Sequence, residues 1–376
     1  MPTRKAPKIA LVTDWLTNMG GAELLLLEIH KLFPKAPIYT SVYDAKKMPA
    51  FSKIDIRTTS LQKDLPKALR YKHVLWPTFR AKAFRKLDLS EFDIIISTSS
   101  AEAKAVRKTR PGQIHIAYIH TPIRYYWSHY EEFRKEFSFG KLTPLIRPLI
   151  PAFVKQQRKL DLDSIEGIDV FIANSTVTQQ RIKQYYGKQS TVIHPPVEVA
   201  RFTPKPSGER NGYVLWGRHV PYKRFDLAIE ACNKLKVPLT IIGSGPDTER
   251  LKKLAGPTVT FTGRISDEAL VQTAQSAKAF LFPNEEDFGI SAAEALAAGT
   301  PVIAYAKGGA LDIVQDGETG VLFEDQTVDS LIAAIKKADK IEFLPATLHR
   351  KAKRFDKGLF ATKILKIVSD NAPTNS

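Results

Sequence analysis

The chain has 376 residues, with 56 Lys and Arg against 39 Asp and Glu, a formal net charge of +17 and one cysteine. At roughly 100–200 residues per domain the length predicts two domains, and a composition 43% hydrophobic and 10% aromatic excludes a disordered chain. Cys232 has no intramolecular partner, which excludes a disulfide-stapled secreted module and points to a reducing compartment.

The opening MPTRKAPKIALVTDW is basic, but its apolar run is shorter than a signal h-region and no small-residue cleavage site follows. No stretch approaches the roughly 18–20 uninterrupted apolar residues of a spanning helix. A cytoplasmic protein, at most peripheral to a membrane, is therefore expected. Residues 1–196 carry 32 Lys and Arg against 17 Asp and Glu, a net of +15, whereas 197–376 carry 24 against 22. The excess thus belongs to the first half and predicts an anionic partner there. Between Lys63 and Lys86 cations alternate with Leu65, Leu69, Tyr71, Val74, Leu75, Trp76, Phe79 and Phe84. That interleaving suits an anionic membrane interface, and equally nucleic acid.

Short apolar runs alternate with longer periodic segments, the pattern of parallel βα units. Ile9–Thr13, Phe92–Thr98, Ile114–His120 and Asp169–Ala173 read as buried strands of a first unit. After His194–Gly212, broken by Pro195, Pro196, Pro204 and Pro206, the alternation restarts with Tyr213–Gly217, Leu239–Gly243, Val259–Phe261, Ala279–Pro283 and Val302–Tyr305. The expected organisation is an N-terminal Rossmann-like domain over 1–196, a linker over 197–212 and a second domain over 213–354. A helix over 355–371 is expected to pack back on the first domain. Two doubly wound α/β sheets facing each other would place a cleft between the domains, with ligands beyond the carboxyl ends of the strands.

Residues that carry chemistry are therefore expected just after strands. In PNEEDFGISAAEALAAG, residues 283–299, three acids precede a helix that begins near Gly289 and stops at Gly299. Glu286 at the loop tip and Glu294 a turn into the helix would lie at most roughly 12 Å apart, right for opposite parts of one extended ligand. Between them the amides of Gly289, Ile290 and Ser291 suit phosphate. This layout matches a nucleotide diphosphate sugar, though a helix whose positive end favours acids would look the same. In GRHVPYKRFD, residues 217–226, Arg218 and Lys223 can bring two positive charges to a diphosphate, or serve only as surface cations. Gly20 and Gly21 let backbone approach a ligand, and His120 ends a strand as a structural or a site residue. Gly243 and Gly263 end two further strands with small residues, leaving room for a flat base or making tight turns. No HExxH, CxxC, GxSxG or Walker pattern is present, nor an Asp-x-Asp of the sort that holds Mg²⁺ or Mn²⁺ on a diphosphate, so no metal site and no tightly bound cofactor is expected.

Together these motifs resemble the retaining glycosyltransferases of family four. GGAE near the start, HTP at 120–122, GR and YKR within 217–224, IGSGP, GRIS, and EDFGISAAEALAAGTPVIA at 286–304 carry the resemblance across nearly the whole chain. It implies the GT-B fold, two Rossmann-like domains with the active site in the cleft. The tracts HTPIRYYW, IANSTVTQQRI and VIHPPV are most similar to mannosyltransferases of O-antigen and lipid-linked glycan synthesis. The resemblance implies that Arg218 and Lys223 bind the donor diphosphate and that Glu286 binds sugar hydroxyls beside the amides of Phe288, Gly289 and Ile290. Glu294 would take the ribose, Arg264 and Ile265 the base edge, Gly20 and Gly21 the diphosphate, and His120 the sugar near the reacting carbon. Glu285 and Asp287 stand where the family often has glycine, so any of the three acids could meet the sugar. The implied function is metal-independent, retaining transfer of a hexose, mannose from GDP-mannose, to a lipid-linked glycan at an anionic membrane surface. A UDP-sugar donor, a GT-B epimerase or phosphorylase, and a basic nucleic-acid-binding protein are the alternatives. The last gives Glu286, Glu294 and the glycine loops no role, and no nucleic-acid partner is expected.

Overall fold

The computed structural model describes residues 7–71, 76–136, 143, 147–204 and 210–373. Val74 and Leu75 of the cationic–aromatic stretch lie outside them. The chain divides into two compact units, Met1–His194 with Ala361–Ser376, and Pro195–Phe360.

In the first unit the strands are β1 (Ile9–Thr13), β2 (Ile38–Thr40), β3 (Ile56–Thr58), β4 (Ile94–Ser99), β5 (Ile114–Ile119), β6 (Val170–Ala173) and β7 (Thr191–Val192). Among the described residues they form one parallel sheet in the order β3-β2-β1-β4-β5-β6-β7. β1 and β4 are buried along their whole length, as expected of strands covered by helices on both faces. The second unit repeats the plan with β8 (Tyr213–Trp216), β9 (Leu239–Ile242), β10 (Val259–Gly263), β11 (Ala279–Phe282), β12 (Val302–Tyr305) and β13 (Gly320–Phe323) in the order β10-β9-β8-β11-β12-β13. Both sheets are doubly wound, and their order reverses between β1 and β4 and between β8 and β11.

Local chemistry sets the helix ends. Ser175 Oγ accepts from Thr178 N at 3.2 Å, and Gly187, at φ 64°, closes the Thr176–Tyr186 helix. Ser266 and Thr327 cap the Asp267–Ser276 and Val328–Ala338 helices in the same way. The helix Lys357–Asp370 begins in the second unit, and from Ala361 on its residues group with the first.

Part of the stretch read as a linker is packed. Val197, Val199 and Phe202 are buried in the second unit's core, and Val197 N donates to Phe355 O at 2.9 Å. The prolines interrupt any periodic pattern there without leaving the chain solvated; residues 205–209 of the stretch lie outside the described set. β2, β3, β7 and β13 carried no usable sequence signal. The first three are two or three residues long, and β13 opens on a glycine whose Cβ would fall 1.9 Å from Val302 O.

Candidate functional site

In the second sheet β8 and β11 are neighbours at the point where strand order reverses, so the loops that leave their carboxyl ends, 217–224 and 283–289, emerge side by side. Open α/β sheets bind ligands at this position. The turn Pro221–Lys223 is followed by Arg224 at φ 52°, a conformation costly for a side-chain-bearing residue. Arg224 is fixed there by Asp226 at 3.3 Å and by Gln326 Oε1 at 2.9 Å. Gln326 Nε2 in turn donates to Pro283 O at 2.9 Å, which couples the two loops.

This brace brings Lys223 and Glu286 together as an ion pair, with side chains 15% and 17% exposed. Asn284 Nδ2 donates to Glu286 Oε1 at 2.8 Å, the same oxygen that Lys223 meets, and so helps to fix the carboxylate. Arg218 stands exposed on the same loop as Lys223. Gly289 has φ 100°, and a Cβ there would fall 2.6 Å from the Phe282 ring, so only glycine lets the Ile290–Ala297 helix start so close to β11. No side chain caps that helix, which leaves the Ile290 and Ser291 end of it open to an acceptor. Phe288 turns inward, edge-on to Phe355 at 5.4 Å.

Glu294 lies on the Ile290–Ala297 helix and belongs to a second cluster. Trp216 Nε1, at the end of β8, donates to Glu294 Oε2 at 3.2 Å, and Arg201 Nη2 lies 3.5 Å from Glu294 Oε1. Arg201 Nη1 is also 2.9 Å from Asp267 Oδ2. Burial pushes the Glu294 carboxyl above its usual range, and the Trp216 and Arg201 donors oppose that rise. Arg264 is exposed, while Ile265 packs partly on the second core.

Gly243 has a different explanation from the flat-base reading. A Cβ at Gly243 would fall 2.1 Å from Gly217 O, and one at Gly245 would fall 2.2 Å from His219 O. The space these glycines leave is therefore filled by the backbone of the 217–224 loop, which they allow to pack. Sequence reasoning missed Asn284, Trp216, Arg201 and the pair Gly308–Gly309. The Gly309 amide donates to Glu286 O at 2.8 Å, and a Cβ at Gly308 would sit 2.2 Å from that oxygen. The same signal that drew attention to Gly20–Gly21, two glycines between a strand and a helix, was present at 308–309 as well.

Gly20, Gly21 and His120 belong to the first unit. Gly20 is the extended N-cap of the Gly21–Leu32 helix, and Glu23 folds back over it, its Oε2 only 3.1 Å from where a Gly20 Cβ would be. Burial, reinforced by the nearby Asp14, pushes the Glu23 carboxyl up to about 7. Asp14 follows β1 and accepts from Ser100 N at 2.7 Å, Ala101 N at 3.0 Å and Ala103 N at 2.7 Å, pinning the chain after β4. His120 N donates to Ser99 O at 2.9 Å, and His120 O accepts from Thr178 Oγ1 at 3.2 Å. In the cationic–aromatic stretch, Arg80 is buried against Glu102 at 2.7 Å and Phe84 is a core residue, so neither faces out. Lys63, Lys67, Phe79, Lys82 and Lys86 are exposed. Among the described residues no three His, Cys, Asp or Glu side chains are grouped to hold a metal ion, and no helix is long and apolar enough to cross a membrane.

Comparison with known proteins matches both units of this architecture. The Glycosyltransferase Family 4 profile matches residues 19–201, and the Glycosyl transferases group 1 profile matches residues 197–355. A GDP-mannose-dependent alpha-(1-6)-phosphatidylinositol monomannoside mannosyltransferase of Mycobacterium tuberculosis (strain CDC 1551 / Oshkosh) is 32% identical over 201 residues, 45% of this chain and 52% of that protein. The chain thus spans about half the length of this relative. Two solved structures share the fold across both units. Anabaena HepE in complex with UDP has a TM-score of 0.71 at 18% identity, over 96% of this chain and all of that one. Sucrose-phosphate synthase from Thermosynechococcus elongatus has a TM-score of 0.72 at 18% identity, over 97% and 99%. The fold is of the GT-B class, two Rossmann-like domains with parallel sheets. The N-terminal half thus belongs to Glycosyltransferase Family 4 and the C-terminal half to the Glycosyl transferases group 1 family.

Proposed function

We propose that this protein is a nucleotide-sugar-dependent glycosyltransferase that moves mannose from GDP-mannose to a lipid-linked or surface-glycan acceptor, with retention and without a metal. The observation that carries this reading is the Lys223–Glu286 pair at the strand-order reversal of the second sheet. In a nucleotide sugar the hexose and the diphosphate share one oxygen, so a site for it must set a cation for phosphate directly beside an acceptor for sugar hydroxyls. Lys223 and Glu286 are such a couple, and Asn284 orients the carboxylate.

Arg218 and Lys223 take the diphosphate and stabilise its charge as the glycosidic bond breaks, the work a metal does elsewhere. Glu286, rather than Glu285 or Asp287, takes the sugar hydroxyls. The amides of Phe288, Gly289, Ile290 and Ser291 line the phosphates, Glu294 takes the ribose, and Arg264 and Ile265 the base edge. Gly20, Gly21 and His120 keep the roles the family resemblance implies. The acceptor hydroxyl attacks the anomeric carbon from the face the diphosphate leaves, and the leaving phosphate oxygen takes its proton, so positioning and charge stabilisation replace a protein base. Mannose and GDP rest on the relative that uses them; a lipid-bearing acceptor rests on the +15 first half and its exposed lysines.

The test is a binding and turnover screen with GDP-mannose, GDP, UDP-glucose and UDP. GDP-mannose should give the largest thermal stabilisation, and a preference for UDP-glucose would overturn the donor assignment. Lys223→Ala should cost about 10²–10³ in turnover, the usual loss for one donor aimed at developing charge. A loss below about threefold would remove Lys223 from that role.

A further inference from the structure

Glu294 is held by an unusual chain of side chains. Trp216 Nε1 donates to its Oε2 at 3.2 Å from the end of β8, and Arg201 Nη2 approaches its Oε1 at 3.5 Å. Arg201 is anchored more closely elsewhere, at 2.9 Å from Asp267 Oδ2 and with its guanidinium 4.5 Å from the centre of the Phe202 ring. Trp216 is itself clamped edge-on against Phe280 at 4.3 Å, so its N–H direction is set by core packing. Two pieces of the second unit, β8 through Trp216 and the 199–202 turn through Arg201, therefore reach this carboxylate of the Ile290–Ala297 helix, and the start of the Asp267–Ser276 helix joins through Arg201.

A carboxylate offers about four acceptor positions, two on each oxygen. Here each oxygen is approached by one protein donor, and the Arg201 approach is the longer, which leaves one position on each oxygen for two neighbouring hydroxyls. We propose that Trp216 and Arg201 are positioning residues that hold Glu294 for a vicinal diol and so set this site's preference for ribose over deoxyribose nucleotides. The proposal rests on the assignment of Glu294 to the ribose made above. Neither residue touches the sugar; each acts through the orientation and ionisation of Glu294.

The experiment is equilibrium titration with GDP and UDP and with their 2′,3′-dideoxy counterparts, read on whichever base binds the wild type more tightly. The wild type should prefer the ribonucleotide by about tenfold or more, as for loss of hydrogen bonds to a charged group. Trp216→Phe keeps the ring packing and removes the N–H. It should weaken the ribonucleotide by about tenfold and the dideoxy nucleotide by less than about twofold, so that the preference collapses. Should that variant fold poorly, Arg201→Gln reads the same ratio from a partly exposed position. A merely structural role would weaken both nucleotides alike, and that result overturns the proposal. Retention of the preference in both variants, with its loss in Glu294→Ala, overturns the positioning roles alone. Retention in Glu294→Ala, or a wild type that shows no preference or binds neither nucleotide, overturns the ribose assignment and this proposal with it.

Discussion

The Lys104–Asp161 ion pair buried in the first unit gives a stability prediction that can be worked from its geometry. Lys104 and Asp161 are 1% and 2% exposed, with Nζ 2.7 Å from Oδ1, and Lys104 also donates to Ala101 O. Asp161 Oδ2 accepts from Trp127 Nε1 at 2.7 Å and from the Tyr186 hydroxyl at 2.8 Å. Those donors leave Lys104 as the cation facing Oδ1. Lys104→Met keeps the apolar stem but abandons a carboxylate in a dry core, which should cost about 3–5 kcal/mol. With a urea slope of about 3 kcal/mol per molar at most, the unfolding midpoint should fall by more than about 1 M. Three of the four tryptophans, Trp15, Trp76 and Trp127, lie in this unit, so intrinsic fluorescence reports its unfolding. Lys104→Met/Asp161→Asn keeps an acceptor for Trp127 and Tyr186 without the charge and should recover about 2 kcal/mol of the loss. A midpoint shift below about 0.3 M for Lys104→Met, or a double variant no more stable than the single, would refute the reasoning.

Glu23, with its folded-state carboxyl at about 7 against 4.5 for the ordinary group, holds a proton in the native state that the unfolded chain has lost between those values. Stability should therefore fall as pH rises through that window and level off above it, by on the order of 1–3 kcal/mol. Glu23→Gln should melt higher than wild type at pH 8 and no higher at pH 4; an equal difference at both would contradict the burial argument. Gly289→Ala sets a Cβ 2.6 Å from the Phe282 ring at φ 100°, so denaturant titration should find a loss of about 2–4 kcal/mol, and an unchanged midpoint would mean the loop is not held as described. Flotation with phosphatidylglycerol vesicles should recover the protein. Replacing Lys63, Lys67, Lys82 and Lys86 with Ala should release it, each cation contributing about 1 kcal/mol, whereas absent or unaltered flotation would sink the membrane assignment.

The predictions that reached furthest from sequence were those where burial on both faces writes a continuous apolar run, as in Ile9–Thr13 and Val302–Tyr305, whose ends coincide with the observed strands. Runs such as Ile38–Thr40 are too short to stand out and become strands because β1 supplies a partner. Residues that act through local backbone were legible as well. Gly289 and Gly299 mark the two ends of one helix in the sequence, and both have positive φ there. Arg201 was not legible, because the prolines around it read as a linker, and a residue in a linker has no predicted neighbour. Its partners Asp267 and Glu294 lie 66 and 93 positions further along the chain.

The sequence by itself determined the two α/β halves, the charge that separates them and the loops after strands on which chemistry is carried, because each is set by composition or by residues near one another in the chain. Only the tertiary structure decided that Lys223 meets Glu286 with Asn284 at its side, that Trp216 and Arg201 meet at Glu294, and that Gly243 and Gly245 accommodate backbone. Those contacts depend on β8 lying between β9 and β11, and adjacency of strands from distant parts of a chain is fixed by packing the whole sheet, which no local pattern encodes.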